Sequence, residues 1–466
     1  MHNVLIGGTA GQGVDTTVAI LERLLKQSGC GVFATRDLMS RIRGGHNFSL
    51  IRFGSEAPLS HSERLDGIIA LNEETVELHR KDLRSDGFIL CDSAIQTDDS
   101  RAIRLDMTAI AGELGNPRTA ASVAVGAVAR LFGIPMDPGR WRKVFEQSVK
   151  LNYVEINIQA ALAGYDRVSQ RFDHAGGGSG ESMIVSGNQA LALGALAAGL
   201  QFYAAYPMSP STSIMEFLAR KAGEAGIVVE QAEDEIAAVN MAIGASFAGA
   251  RAMTGTSGGG FSLMVEALGL SGMAEIPLVV VDAQRPGPVT GLPTRTEQSD
   301  LRFVISASQG EFPRMVIALR HHEDAFYQTI RAFQMAEKYQ IPVILLTDQY
   351  LADSTATVPV FDPRRIPVYE PEDVPISDDY ARYRYTESGI SPRMFPGTKD
   401  GFVSADSDEH AEYLATSVYQ RILALIRGQS LVLRPPVPSM QGLWLPHEQQ
   451  AVGDFLGLAL IGGAQK

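Results

Sequence analysis

The most informative segment of this sequence is residues 250–281, ARAMTGTSGGGFSLMVEALGLSGMAEIPLVVV. Two short apolar runs, Ala250–Thr254 and Pro277–Val281, enclose a segment with helical periodicity at 261–273, and three successive glycines precede that segment. Short apolar runs bounded by turn residues favour buried strands, and a strand–helix–strand order predicts that the two strands are parallel in one sheet. The glycines predict that the backbone closely approaches another group, either a cofactor or a partner chain.

The same alternation continues on both sides of this segment. Further strands are predicted at Gln201–Tyr206, Ile227–Val229, Met315–Ala318 and Pro342–Leu346, and further helices near 188–199, 211–224, 234–248 and 322–339. Regular alternation of strands and helices predicts a doubly wound, mostly parallel sheet over residues 183–352. Ligands of such sheets bind at the carboxyl ends of the strands, so the loops there are candidate site loops.

A first α/β unit is predicted over residues 1–170. Short apolar runs at Val4–Ile6, Gly67–Leu71 and Phe88–Cys91 alternate with helical patterns at Val14–Gln27 and Arg118–Phe132. This alternation again favours a mostly parallel sheet covered by helices.

Composition places the domain boundaries. Residues 171–183 contain the stretch HAGGGSGES (174–182), which is typical of a flexible linker. The second domain is predicted at 184–426, with an irregular proline-rich extension from 353 onward, and residues 427–466 form a divergent tail. The predicted fold class is α/β, with two doubly wound, mostly parallel-sheet domains and an irregular C-terminal extension.

Bulk composition argues against several classes of protein. A net charge of -13 argues against nucleic-acid binding. Two cysteines, Cys30 and Cys91, exclude a disulfide framework and a four-thiolate iron–sulfur site within this chain. The sequence contains no apolar run of about twenty residues, so no membrane span is expected. The N-terminus lacks signal-peptide features, and we therefore expect a cytoplasmic location. The acidic stretch Asp406–His410 is expected to be solvated, and no metal site is predicted.

Two motifs of the first unit are candidate binding loops. GGTAGQG places Gly7, Gly8, Gly11 and Gly13 between a strand and a helix, where free N–H groups can bind an anion, although the spacing fits neither a dinucleotide fingerprint nor a Walker A loop. SRIRGGHN (40–47) offers the forked donors of its arginines before Gly44. The alternatives are a tight β–α turn in the first case and a turn with solvated charges in the second.

Three motifs of the second unit carry candidate polar chemistry. Glu233, Asp234 and Glu235 open an otherwise apolar helix, so at least one acid is expected to face a buried environment that raises its pKa, although first-turn acids also suit the helix dipole. In YPMSPST, Ser209 is a candidate substrate contact, or the hydroxyls there cap the next helix. Arg285, and Arg295 in the same loop, are suited to bind a carboxylate or to form surface ion pairs.

Taken in order, these motifs resemble the 2-oxoacid:ferredoxin oxidoreductase family. GGTAGQG and SRIRGGHN resemble its γ domain, whereas YPMSPST, QAEDEIAAVNMAIGAS, TSGGGFSLMVEALG and QRPGPVTGLPTRTEQSD resemble the pyrimidine-binding part of its α chain. The resemblance covers roughly residues 1–410 and is similar to the fused γ–α subunit of 2-oxoglutarate oxidoreductases.

The resemblance implies an activity, its cofactors and its partners. The activity is oxidative decarboxylation of a 2-oxoacid, 2-oxoglutarate in this fused arrangement, to acyl-CoA and CO₂ with reduction of ferredoxin. Thiamine diphosphate is shared with a β subunit that holds its diphosphate, Mg²⁺ and a [4Fe-4S] cluster, with none in this chain. The implied assembly is an (αβ)₂ heterotetramer that meets ferredoxin through β.

The resemblance also implies residue roles. Glu235 matches the glutamate that hydrogen-bonds the cofactor pyrimidine and favours its imino tautomer, while Gly258 and Gly259 lie where the cofactor is approached. Arg285, with Arg295, matches the substrate-carboxylate position. Ser209 stands where the family usually has threonine. The GGTAGQG glycines, and Arg43 with Gly44, fall where the family contacts coenzyme A or its partner chains.

The end of the sequence departs from the family pattern. Fused members usually continue into a further α/β domain, whereas residues 427–466 are dissimilar, which leads us to expect a divergent or truncated subunit. The alternative function is therefore a non-catalytic assembly or regulatory subunit. A nicotinamide dehydrogenase is disfavoured because the G-x-G-x-x-G fingerprint is missing.

Overall fold

The structure is a computed structural model. It describes residues 1–39, 45–177, 181–371, 374, 380–399 and 405. The elements of the first unit, in chain order, are β1 (His2–Thr9), α1 (Val14–Gln27), β2 (Gly31–Asp37), β3 (His46–Gly54), β4 (Leu65–Ala70), α2 (Glu73–His79), β5 (Leu83–Asp92), β6 (Ala102–Leu105), α3 (Met107–Glu113), α4 (Ala120–Leu131), α5 (Pro138–Ser148) and α6 (Val154–Tyr165).

The second unit follows the predicted alternation of strands and helices. Its elements are β7 (Ser182–Ser186), α7 (Gly187–Ala197), β8 (Phe202–Ala205), α8 (Thr212–Ala225), β9 (Val228–Gln231), α9 (Glu235–Phe247), β10 (Ala252–Thr256), α10 (Gly258–Met273), β11 (Leu278–Gln284), α11 (Leu301–Ser306), β12 (Met315–Ala318), α12 (His322–Tyr339), β13 (Pro342–Asp348), α13 (Gln349–Asp353) and β14 (Thr355–Pro359).

The second sheet has the order β12-β13-β11-β10-β8-β9, and every neighbouring pair in it is parallel. Helices cover both faces, and all seven residues of β11 are buried. Side chains alternate along β11: Val279 and Val281 join one core, whereas Leu278 and Val280 pack with α10 in the other. Asp282 and Gln284 therefore share the α10 face, at the carboxyl end of the sheet.

The first sheet is mixed. Its order is β6-β5-β4-β1-β3-β2-β14-β7. Pairing is parallel from β1 through β4 and β5 to β6, and antiparallel from β1 through β3, β2 and β14 to β7. The predicted α/β class with parallel-sheet domains is confirmed, and the parallel arrangement of this first sheet is confined to one half of it.

The strands at the predicted domain boundary belong to the first sheet. β7 pairs with β14, which pairs in turn with β2, so hydrogen bonds cross the predicted boundary between 170 and 184. Residues before β7 also contact the first unit: the Phe172 ring stacks on Phe132 with 4.8 Å between centroids, and His174 Nε2 lies 3.0 Å from the Ser28 carbonyl oxygen. The division at 1–170, 171–183 and 184–426 stays a prediction.

The predicted irregular extension is wrong at its start, because Thr355–Pro359 forms β14 of the first sheet and Pro363–Arg365 forms a 3-10 helix. Residues 380–399 pack on the second unit without regular structure. The guanidinium of Arg382 is buried and donates to the carbonyl oxygen of Glu275 at 2.8 Å and to Gln340 Oε1 at 2.8 Å. Arg393 forms a buried ion pair with Glu337 at 3.0 Å. These contacts hold residues 380–399 at the amino ends of β11 and β13, whereas the candidate site loops follow the carboxyl ends of the strands. Among the described residues, no helix is long and apolar enough to cross a membrane.

Candidate active site

Glu235 is the first residue of α9, at the carboxyl edge of the second sheet. The preceding Asp234 caps the helix, because its Oδ1 accepts a hydrogen bond from the Ala237 N–H at 2.7 Å. The cap leaves the Glu235 side chain to turn inward, where the residue is only 3% exposed. Its Oε1 atom is buried and has no hydrogen-bond partner among the described residues. Of the three acids in this motif, Glu233 and Asp234 remain exposed to solvent and only Glu235 is buried.

Burial raises the pKa of Glu235, because removal from water disfavours the charged carboxylate. The negative charge of Asp234 adds to this rise in pKa, whereas the Glu235 backbone N–H and the positive charge of Arg285 lower it. The result is a carboxyl group with a raised pKa and one free oxygen. Such a group is suited to exchange a proton or a hydrogen bond with a ring nitrogen placed opposite it.

The glycine turn at the start of α10 provides space for two carboxyl groups of this chain. A methyl group placed on Gly260 would lie 2.6 Å from Glu235 Oε1 and 2.0 Å from Thr256 Oγ1. One placed on Gly258 would lie 2.4 Å from Asp300 Oδ2. The sequence predicted that the backbone closely approaches another group here. In the structure Gly260 approaches Glu235, and Gly258 approaches Asp300. Gly259 is exposed, and the nearest atom to a methyl group there is the Val289 carbonyl oxygen at 3.2 Å.

Arg285 follows β11 directly and faces the same site. Its guanidinium is largely buried and donates a 2.7 Å hydrogen bond to the Ser209 carbonyl oxygen. Burial lowers the pKa of Arg285, while the negative charge of Glu235 raises it. The structure thus brings together the predicted catalytic carboxyl group, Glu235, and the predicted substrate arginine, Arg285.

The loop between β8 and α8 contributes Ser209 through its backbone. The Ser209 hydroxyl makes no hydrogen bond with any described residue, while Ser211 Oγ bonds the Met208 carbonyl oxygen at 2.7 Å. Asn188 holds the loop from below by donating to the Pro210 carbonyl oxygen at 2.9 Å. The Met208 side chain packs against the end of β10, with its Sδ 3.6 Å from Thr256 Oγ1. The hydroxyl of Ser209 therefore remains available to a ligand.

Arg295 points to the first unit instead. Its guanidinium pairs with the Asp37 carboxylate at the end of β2. The ion pair connects the loop after β11 with the first sheet. The substrate role of Arg295 stays a prediction. In the structure Arg295 pairs with Asp37, whereas Arg285 bonds the Ser209 carbonyl oxygen at the candidate site.

Exposed apolar side chains occur on the helices that begin at the candidate site and on the loop above Gly259. Ile236, Met241 and Leu263 are 50%, 43% and 51% exposed, on neighbouring helices α9 and α10. Val289, in the loop above Gly259, is 86% exposed and holds a left-handed backbone with φ of 61°. A left-handed conformation is unfavourable for a β-branched residue. We call the surface formed by Ile236, Met241, Leu263 and Val289 the apolar face. Exposed apolar residues that form a patch mark interaction sites.

The glycine-rich turn of the first unit adopts the predicted strand–turn–helix form. Gly11 and Gly13 have positive φ angles of 93° and 89°, which glycine tolerates best. A methyl group on Gly7 would lie 2.5 Å from Thr75 Cγ2, and one on Gly8 would lie 2.8 Å from Gln12 Oε1. These two glycines therefore serve packing within the chain.

A cavity of about 590 Å³ opens over Gly11 and Gly13. Arg36 lies in its wall beside Asn47, and its guanidinium donates to the Asp353 carbonyl oxygen at 3.1 Å. The volume is in the range of small-molecule sites. Arg36 is therefore a cation near this turn that the sequence did not predict. The predicted residues of SRIRGGHN, namely Arg41, Arg43 and Gly44, lie outside the described residues.

Several other predictions also fall outside the described residues, namely those for Asp406–His410 and for the tail 427–466. Within the described part of the chain, no group of three or more His, Cys, Asp or Glu residues is arranged to hold a metal ion.

Sequence reasoning missed Gly260, Asp282, Asp300 and Arg36. Gly260 had a signal, because it is one of three successive glycines, but the sequence does not say which of them faces the carboxyl group. Asp282 also had a signal, as a charged residue directly after the buried run Leu278–Val281. Asp300 and Arg36 had none, because their partners are distant in the sequence.

Comparison with known proteins agrees with this geometry. The family described as pyruvate flavodoxin/ferredoxin oxidoreductase, thiamine diphosphate-binding, matches residues 193–424, and the family described as pyruvate ferredoxin/flavodoxin oxidoreductase matches residues 3–167. A Sulfolobus 2-oxoacid:ferredoxin oxidoreductase subunit alpha is 31% identical over 90% of this chain and 76% of its own length. The 2-oxoglutarate synthase subunit KorA of Methanothermobacter marburgensis is 42% identical over 39% of this chain and 48% of its own length.

A solved structure gives the same assignment. The 2-oxoglutarate:ferredoxin oxidoreductase from Magnetococcus marinus, with 2-oxoglutarate, coenzyme A and succinyl-CoA bound, superposes with a TM-score of 0.81 at 30% sequence identity. The match covers 91% of this chain and 77% of that chain. Because both units match in sequence and in fold, the chain belongs to the 2-oxoacid:ferredoxin oxidoreductase family and is similar to its alpha subunits.

Proposed function

We propose that this chain supplies the pyrimidine side of a thiamine diphosphate site in an enzyme that oxidatively decarboxylates 2-oxoglutarate. The products are succinyl-CoA, CO₂ and reduced ferredoxin. The proposal includes a β subunit that binds the diphosphate with Mg²⁺ and carries the [4Fe-4S] cluster. The complex is expected to be an (αβ)₂ heterotetramer in the cytoplasm.

The observation that carries the proposal is the free Oε1 atom of Glu235. A buried carboxyl oxygen without a hydrogen-bond partner is unfavourable unless a ligand supplies the partner. A ring nitrogen of an aminopyrimidine fits this need, because it can share one proton with a carboxyl group whose pKa is raised. When bound, thiamine diphosphate supplies a carbon nucleophile and stabilises the charge left on the substrate after CO₂ departs.

On this proposal, each site residue of this chain has a defined role. Glu235 holds or accepts the proton at the pyrimidine ring, and its dry surroundings make that hydrogen bond strong. Arg285 binds the 2-oxoacid carboxylate through its guanidinium, while its bond to the Ser209 carbonyl oxygen fixes the orientation of the side chain. The Ser209 hydroxyl remains free to bond the substrate. The exposed Gly259 lets a ligand approach the start of α10 closely.

The choice of 2-oxoglutarate rests on relatives. The Magnetococcus marinus enzyme binds 2-oxoglutarate, and the relatives named KorA are 2-oxoglutarate synthase subunits. Coenzyme A is bound in the same solved structure. In this chain we assign it to the cavity over Gly11 and Gly13, where the start of α1 and Arg36 can bind its phosphates. Gly7 and Gly8 support the turn. Arg43 and Gly44 lie outside the described residues, and we assign them to the same coenzyme A or partner-chain contact on the family resemblance alone.

The partner is assigned to the apolar face. Its residues are exposed in this chain; three of them lie on the two helices that also position Glu235, and Val289 lies in the loop after β11. A β subunit covering them would exclude water from the Glu235 carboxyl group and complete the site. A catalytic site at such a boundary explains why the carboxyl oxygen has no partner within the described part of this chain.

The test is reconstitution of the full chain with its β subunit. We expect CO₂ release from 2-oxoglutarate that requires coenzyme A, thiamine diphosphate and an electron acceptor. Glu235→Gln should reduce turnover about 10²- to 10⁴-fold, the usual contribution of acid–base catalysis. Glu233→Gln, an exposed acid of the same motif, is the matched control and should retain full turnover. Binding of thiamine diphosphate without turnover in the wild-type complex would instead support an assembly or regulatory subunit.

A further inference from the structure

Asn188, in the first turn of α7, is a buried side chain that contacts the loop between β8 and α8. The residue is 1% exposed, and its Nδ2 donates two hydrogen bonds, to the Pro210 carbonyl oxygen at 2.9 Å and to Ser213 Oγ at 2.8 Å. Its Oδ1 is buried and has no partner among the described residues. The side chain is therefore used here only as a donor, although a buried oxygen without a partner lowers stability.

The helix turn that carries Asn188 is held firmly. Ser186 and Gln189 form a capping box, in which Ser186 Oγ accepts from the Gln189 N–H at 3.2 Å and Gln189 Oε1 accepts from the Ser186 N–H at 3.1 Å. A methyl group on Gly187 would lie 2.1 Å from the Leu351 carbonyl oxygen, so this turn packs directly against α13. Asn188 therefore provides a fixed point from which the loop can be positioned.

Two successive carbonyl groups of the loop are bound by donors from different elements. The Ser209 carbonyl oxygen accepts from Arg285 at 2.7 Å, and the next carbonyl oxygen, that of Pro210, accepts from Asn188. Proline has no N–H group, so the peptide unit between Ser209 and Pro210 offers no donor of its own. The acceptor that orients Arg285 thus lies one residue from the carbonyl group that α7 holds.

A second buried asparagine shows what a purely structural amide looks like in this chain. Asn157, in α6, uses both ends of its amide: Nδ2 donates to the Tyr153 carbonyl oxygen at 2.7 Å, and Oδ1 accepts from Ser122 Oγ at 2.6 Å. Asn188 leaves its oxygen without a partner and directs its N–H groups to the loop and to the start of α8. The contrast indicates that Asn188 is placed for its donors.

We propose that Asn188 is a positioning residue for 2-oxoacid binding, because it holds the loop at the height at which the Ser209 carbonyl oxygen orients the Arg285 guanidinium. Asn188 acts on the substrate only through Arg285. The effect on the 2-oxoacid rests on the proposed function, whereas the coupling of Asn188 to Arg285 does not.

Kinetics of the reconstituted complex test the role in substrate binding. Asn188→Leu keeps the approximate volume of the side chain and removes its donors, so the KM for 2-oxoglutarate should rise about tenfold while kcat changes less than about twofold. In the Arg285→Ala background the same substitution should raise KM no further, because its effect passes through Arg285. A further rise in that background, or a fall in kcat without a rise in KM, would overturn the positioning role.

Two control variants separate positioning from general stability. Ser213→Ala removes the other acceptor of the Asn188 amide and leaves the bond to Pro210, while Asn157→Leu removes a buried amide of the first unit. Both should lower the thermal midpoint and leave KM unchanged. Asn188→Ala should raise KM as the leucine variant does, and it replaces that variant if the leucine chain does not fold. An equal rise in KM in either control would attribute the effect to lost stability and overturn the proposal.

Nitrogen-15 NMR of the arginine side chains in the isolated full chain tests the coupling without any activity. The Arg285 signal is identified by its loss in Arg285→Lys. Its guanidinium is largely buried and bonded to the Ser209 carbonyl oxygen, so its hydrogen exchange should be slow in the wild type and in Ser213→Ala. Exchange should become about tenfold faster in Asn188→Leu, because the bond opens more often.

The two measurements fail separately. Unchanged Arg285 exchange in Asn188→Leu would overturn the coupling, whatever the activity of the complex. Faster exchange in that variant, together with a wild-type complex that does not decarboxylate 2-oxoglutarate, would reject the proposed function and support the coupling of Asn188 to Arg285.

Discussion

Glu235 and Gly260 are in direct contact at the start of α10, and there is no room for a side chain between them. A methyl group on Gly260 would lie 2.6 Å from Glu235 Oε1 and 2.8 Å from its Cγ. The glycine therefore determines where the carboxyl group lies, although it carries no chemistry itself. The position of the free oxygen depends on two helices, α9 and α10, that are joined by β10.

Gly260→Ala should displace the Glu235 carboxyl group and reduce turnover of the complex about 10- to 100-fold, because displacements near 1 Å at a reacting centre have effects of this size. Steady-state kinetics and a thermal denaturation curve measure the two consequences. Gly223→Ala is the control: Gly223 lies within α8 with no atom within 4 Å of an added methyl group. The control should retain turnover and gain slightly in stability. Equal turnover in the two variants would contradict the contact's importance.

Arg285→Ala should chiefly raise the KM for the 2-oxoacid, by about 10- to 100-fold, because a charge-assisted hydrogen bond to the substrate carboxylate is removed. Arg285→Lys should recover only part of this loss, since an ammonium group cannot make two parallel hydrogen bonds. Initial rates over a range of 2-oxoacid concentrations separate KM from kcat. Arg302→Ala changes an exposed arginine nearby and serves as the control. An unchanged KM in Arg285→Ala would reject the carboxylate role.

Leu263→Glu should prevent assembly with the β subunit, because it buries a charge in the apolar face. We expect the apparent dissociation constant of the complex to rise at least 100-fold, with the circular dichroism spectrum unchanged. Leu151→Glu alters a leucine that is 78% exposed on the first unit, and the complex should form normally with it. Sedimentation velocity measures both. Normal assembly of the Leu263→Glu chain would place the partner elsewhere.

Glu235→Gln should change the pH dependence of stability in a defined direction. Burial raises the pKa of Glu235 in the folded chain, so the unfolded chain releases this proton at a lower pH. The wild type therefore loses stability relative to the glutamine variant as the pH rises from below the unfolded pKa of about 4.3 to above the folded pKa. Denaturant unfolding of the isolated chain from pH 4 to 8 measures the difference. A constant difference between the two chains would contradict the raised pKa.

Much of the second unit could be predicted from periodicity alone. The predicted strand Met315–Ala318 and the predicted helix at 322–339 coincide with β12 and α12. Both are regular segments whose ends are marked by polar or turn residues. The pairing of β14 with β7 and β2 could not be predicted, because β14 is five residues of mixed polarity and its partners lie far away in the chain.

The site divides in the same way. The apolar run after Glu235 predicted a buried carboxyl group, and the structure buries Glu235 while Asp234 caps the helix. Local pattern could not identify Gly260 as the glycine in contact with it. It also gave no indication that Asp300 returns to Gln284, or that Arg295 pairs with Asp37 of the first unit. These relationships depend on how loops far apart in sequence pack together.

The most direct test of the central claim is the rate at which the C2 proton of bound thiamine diphosphate exchanges with deuterium in the reconstituted complex. The account predicts that Glu235→Gln slows this exchange at least 100-fold relative to the wild type and to Glu233→Gln, while the cofactor remains bound. Exchange at the wild-type rate in the Glu235→Gln complex would contradict it, because the buried carboxyl group would then have no effect on the cofactor ring.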